Sequence, residues 1–177
     1  MIRDSTPRGM KIPTPDALAA EFEQPIAVVQ EVPAGWRCSF GQQRLDGFLC
    51  HVDANYWLDR QLVAVIQSSR PVPDSFGVKS EATLSGQLNT FLANSGRSER
   101  VTAPSSTSEP EWIAVSLDGD ARDAERLSFG ECTSARITTD TTSIIVTAPD
   151  EVWQTVSDLA YFRPGQNWPP MHWLRPH

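Results

Sequence analysis

The residues best suited to chemistry in this chain are Cys50 and His51, with Asp53 two positions on. A thiolate, an imidazole and an orienting carboxylate are the parts of a nucleophilic site. Their spacing argues against that use. In a strand over Gly47 to Asp53 adjacent side chains point to opposite faces, so Phe48, Cys50 and Val52 turn to the core while His51 and Asp53 turn outward. Cys50 then reads as a small buried hydrophobe, and His51 with Asp53 as a hydrogen-bonded surface pair. A zinc ion would need three or four protein ligands. The other two histidines, His172 and His177, both stand in the C-terminal tail.

Asp118, Asp120, Asp123 and Glu125 form the densest acidic cluster. A helix-loop-helix calcium site wants a ligand at its fifth position and glycine at its sixth, where this chain has Arg122 and Asp123. The cluster reads instead as a polar hairpin partly neutralised by Arg122 and Arg126. Its remaining charge makes Asp118, Asp120 and Asp123 candidate contacts for a basic partner, since complementary charge speeds encounter. Glycine-rich phosphate loops, the serine elbow and the paired-histidine helix motif are absent from the sequence. Serines and threonines stand in strands, caps and linkers, none beside a histidine in sequence. No catalytic residue, metal ligand or cofactor is assigned.

Four of the six tryptophans, Trp36, Trp57, Trp112 and Trp153, fall in or beside expected elements and are read as core. Trp168 and Trp173 sit in a proline-broken tail without periodicity. They either fold back over the body or anchor a partner, tryptophan being among the residues that dominate interface energetics.

The elements that must position these residues follow from composition and pattern. A chain of 177 residues fits one domain, which buries roughly 70% of its unfolded surface. The formal charge of −7, from 22 acidic and 15 basic residues, disfavours nucleic acid, whose binding draws on Lys and Arg at phosphates. Three cysteines without a Cys-x-x-Cys pair spell neither a disulfide framework nor a zinc knuckle. The charged, proline-bearing N-terminus lacks a secretory apolar run, and no stretch is long enough to span a membrane, so a cytoplasmic protein is expected.

Thr14 and Pro15 open a short helix with Leu18 and Phe22 on one face. Strands are expected over Ile26 to Val32, Trp36 to Phe40, Leu45 to Asp53 and Leu62 to Gln67, before the loop Arg70 to Asp74. Leu84, Leu88, Phe91 and Leu92 recur at helical spacing, with Ser80 as cap and Gly96 as stop. Residues Trp112 to Leu117, Arg126 to Phe129, Cys132 to Thr138 and Ser143 to Ala148 read as strands, with Asp118-Gly119 as a hairpin turn. Val152, Val156, Leu159 and Ala160 share the face of a last helix beginning near Pro149.

The expectation is an α+β fold: antiparallel meander sheets packed by about three helices, with two similar halves, 26 to 94 and 111 to 162. A flexible arm, 1–15, precedes a domain, 16–162, that contains a mobile linker, 97–111. A Pro/Trp-rich tail, 163–177, follows. Elimination of catalytic motifs favours a non-catalytic protein-binding role of immunity, antitoxin or chaperone type, covering a basic surface on another protein. The alternatives are a small-molecule binder or enzyme with a pocket between sheet and helices, and a structural subunit of a larger assembly. The oligomeric state is open.

Overall fold

The computed structural model describes residues 14–73, 83–96 and 111–165. The expectations for the N-terminal arm, for Ser80 as a cap, for the linker 97–110 and for Trp168 and Trp173 lie outside the described residues.

Helix α1 spans Pro15–Phe22, and Thr14 accepts the Ala17 amide at 3.2 Å. It buries Leu18 and Phe22. Among the described residues nine strands follow: β1 Ala27–Val29, β2 Trp36–Leu45, β3 Phe48–Leu58, β4 Gln61–Ser69, β5 Glu111–Leu117, β6 Asp120–Phe129, β7 Cys132–Thr138, β8 Ser143–Pro149 and β9 Asp158–Tyr161. They form one sheet in the order β1-β9-β5-β6-β7-β8-β4-β3-β2. Every pairing is antiparallel except β5 with β9. The expected meander is therefore right for β2 to β4 and β5 to β8, and the sheet as a whole is mixed.

Two Asp-Gly turns set the β2–β3 and β5–β6 hairpins. Asp46-Gly47 and Asp118-Gly119 both place successive residues at positive φ, 48° and 83° in the first and 53° and 85° in the second. This is the geometry that matches the right-handed twist of paired strands. The first of these turns corrects the sequence expectation of a strand from Leu45 to Asp53, which ran straight through it.

The sheet curls until β1 lies across its own inner face. Val28 faces Ala160 of β9 in the register, while the amides of Ala27 and Val29 are accepted by Ser68 Oγ and the Tyr56 hydroxyl, each at 2.9 Å. Inside the curl lie Leu18, Phe22, Val52, Tyr56, Ile66, Val146 and Leu159, all buried.

Helix α2, Leu84–Asn94, is capped by Thr83, which accepts the Gly86 amide at 3.0 Å. It buries Leu88, Phe91 and Leu92 against Leu62 and Cys132, with Trp57, Val65, Leu127 and Phe129 around them. These residues lie on the face of the sheet opposite the curl, and α2 packs chiefly on β6, β7 and β8. The halves are thus not two self-contained repeats, because the helix of the first covers the strands of the second.

The last helix is much shorter than its apolar spacing implies. A 3-10 turn, Asp150–Val152, leads into α3, Trp153–Val156, and the chain then extends as β9. Leu159 is buried as a strand residue between β1 and β5. Backbone pairing on both sides outweighs a weak helical preference.

Candidate functional site

The outer face of the sheet carries one continuous row of side chains. Trp112 lies opposite Glu125, Glu125 opposite Arg136, Arg136 opposite Ile145, Ile145 opposite Gln67 and Gln67 opposite Asp53, across six neighbouring strands. Directly opposed residues share a face and stand within contact range. At the β5–β7 end of this row a groove of about 670 Å³ opens toward the β7–β8 turn. Trp112, Asp123, Glu125, Arg136, Asp140 and Ser69 are among its lining residues.

The cations of the groove have internal partners. Arg136 donates to Glu125 at 2.5 Å. Arg70 donates to the carbonyls of Leu49 and Phe22 at 2.6 and 2.7 Å and stacks on Phe48, 4.0 Å from the ring centre. Asp123 and Asp140 are exposed and form no ion pair among the described residues. The charge left over in the groove is negative.

Trp112 is 62% exposed, which corrects its reading as core. Alternation gives the reason: Val115 and Leu117 turn into the curl, so Trp112 and Ala114 fall on the other face. That signal was present in the sequence and was outweighed by the residue's size. Trp36 is buried in the core, and Trp57 is half-buried with its indole donating to Ser39 Oγ at 3.0 Å.

The three aspartates read as one patch are separated. Asp118 accepts the Tyr161 amide at 3.3 Å and pairs with Arg163 at 3.2 Å, so its carboxylate ties β9 to the hairpin. Asp120 faces Leu117 across the hairpin and shares its side of the sheet. Asp123 alternates to the opposite side, where it meets the groove.

His51 and Asp53 share the outer face as expected, but the expected surface pair is corrected by burial: His51 is 4% exposed. Its Nδ1 lies 2.6 Å from Ser69 Oγ, a partner eighteen residues away that strand pairing supplies. Burial pushes the imidazole below its ordinary value, favouring the neutral ring. Desolvation raises the Asp53 carboxyl against a lowering hydrogen bond from Gln67. Asp53 Oδ1 and Gln67 Oε1 are buried without a hydrogen-bond partner among the described residues.

Cys50 is buried, as expected, but by a different geometry. The β2–β3 register shifts between Gln43 and Arg44, passing from His51 to Leu49 and leaving Cys50 as the unpaired residue of a bulge. Leu49 takes the core position expected of Phe48, which lies instead under Arg70. Cys38 and Cys132 are also buried and form no disulfide, and burial pushes the Cys38 thiol up to about 12. Among the described residues no group of three or more His, Cys, Asp or Glu could hold a metal ion. No helix among them is long and apolar enough to cross a membrane.

Comparison of the chain with protein-family models, with curated proteins and with solved structures returned no match.

Proposed function

We propose that this chain is a non-catalytic binding protein that covers a basic surface on another protein through its outer-face groove. The observation that carries this reading is the juxtaposition of a largely exposed Trp112 with Asp123 and Asp140, whose carboxylates form no ion pair among the described residues, in a groove whose arginines are already engaged. An aromatic shelf beside free carboxylates suits a cationic side chain, which gains from both the ring face and the charge. The contact assigned from sequence to the Asp118 hairpin moves to Asp123 and its neighbours. The immunity, antitoxin and chaperone types share this chemistry and differ in the partner.

Affinity capture from native lysate, run in parallel with the parent chain and with a Trp112→Ala, Asp123→Asn, Asp140→Asn variant, tests the reading. A basic protein held by the parent and lost by the folded variant supports it. Equal retention by both moves the interface away from the groove.

One observation favours a second reading, an enzyme with a nucleophilic serine. Ser69 lines the groove, and its hydroxyl stands 2.6 Å from a buried imidazole that favours the neutral form, the relation a general base needs. A stoichiometric fluorophosphonate adduct on Ser69, absent after His51→Gln, would put this reading first.

A further inference from the structure

Strand β5 has a free edge beside the groove. The Ser116 amide donates to Ser157 at 2.9 Å and the Asp118 amide to Leu159 at 2.8 Å, so these residues point away from β6 and toward β9. In an antiparallel ladder this direction repeats at every second residue. The amides and carbonyls of Ala114 and Trp112 therefore point the same way. There β9 has ended: its pairing with β5 covers only Ser116 and Leu117, and the preceding residues turn away as α3. Among the described residues nothing bonds these four backbone groups, and Ala114 and Trp112 are both exposed. An unpaired edge of this kind is a template for another strand.

Resting on the protein-binding reading above, we propose that the partner enters as an extended basic segment. It adds as a strand along Glu111 to Val115 in the lane that β9 vacates, and it lays a cationic side chain over Trp112 toward Asp123 and Asp140. Main-chain pairing at Trp112 and Ala114 supplies affinity. The carboxylates select charge, because every second residue of the added strand projects onto the groove face.

The probes are a synthetic peptide of alternating arginine and valine, its glutamate-valine counterpart, and the arginine peptide with alternate amides methylated. Amide exchange of the full chain, followed by NMR, is the main readout. The arginine peptide is expected to slow exchange at Trp112 and Ala114, and the other two are not. Ala114→Pro deletes an amide that makes no bond among the described residues, at an edge where proline is tolerated. It should leave Tm unchanged and weaken the arginine peptide about tenfold or more, a change of about 1.4 kcal/mol.

Should Ala114→Pro disturb the fold, the methylated peptide decides with the protein intact. Equal binding of methylated and unmethylated peptides overturns strand addition. If Asp123→Asn still weakens both peptides, the groove reading survives that failure. Equal binding of the glutamate peptide, or no binding of the arginine peptide, overturns the proposal. Protection that grows with protein concentration in the absence of peptide overturns it too, and names a second copy of the chain as the occupant.

Discussion

The Tyr56 hydroxyl accepts the Val29 amide at 2.9 Å inside the curl of the sheet. The phenol is buried, and burial raises its ionisation well above the ordinary range. A side chain from the face of one strand thus satisfies the open edge of another, where a further strand would otherwise be needed. Ser68 does the same for Ala27.

Tyr56→Phe keeps the ring and strands the Val29 amide. The expected cost is about 1–3 kcal/mol, the usual penalty for an unsatisfied buried donor. Urea unfolding measures it. A loss within error of zero would mean that β1 is held by apolar contact alone.

Leu88 is fully buried at the centre of the α2 contact. Leu88→Ala should destabilise by about 2–5 kcal/mol. Because α2 lies on β6 to β8, the substitution should lower the whole unfolding transition. Loss of helix signal with the strands intact would contradict a shared core.

Acid should act on two residues of the outer face, His51 and Asp53, in opposed ways. His51 is depressed, so the unfolded chain takes up its proton first, and stability falls as pH drops through the ordinary histidine value of 6.5. Asp53 is raised, so the native state takes up its proton first; this contribution is present below the ordinary 3.8 and is lost as pH rises through the folded value. His51→Gln should flatten the fall below 6.5, and Asp53→Asn should help most at neutral pH and fade toward 3.8. Denaturant midpoints across pH 4 to 7.5, on the order of the ordinary His and Asp range, check both signs.

All three cysteines are buried thiols outside any disulfide. Iodoacetamide should leave them unmodified in the native protein and label all three in denaturant, because burial keeps the reagent from each sulfur and, at Cys38, also disfavours the reactive thiolate. Mass spectrometry gives the count. Fast native labelling of any of the three would show that its site opens.

Much of the strand plan was legible. Cys132–Thr138 runs between the expected bounds, β5 and β8 differ from theirs by one residue each, and β6 begins six residues before the expected Arg126. What was missed depended on partners. Asp46-Gly47 was passed over because the residues after it read as a strand, although its spelling is the same as that of Asp118-Gly119. Residues 158–161 show helical spacing and become a strand only because β1 and β5 offer edges on either side. The site was less legible than the fold. Trp112's exposure followed from alternation, but the Ser69–His51 contact and the Glu125–Arg136 pair require register, which no local pattern supplies. The bulge at Cys50 is of the same kind, since a single skipped residue exchanges the faces of all that precede it.

Val29 meets Leu159 in the register, with most of the chain between them. Closing that pairing is a late event for a folding chain, because the ends of so long a loop pay their entropy before the contact repays it. Until it closes, the Tyr56 hydroxyl and the edge of β9 both wait for the same three residues. The strand that seals the curl therefore makes the pairing of greatest sequence separation in the sheet. Slowing or blocking its arrival would leave a nearly complete sheet with one adhesive edge, a species more prone to cling to its neighbours than either the finished protein or the unfolded chain.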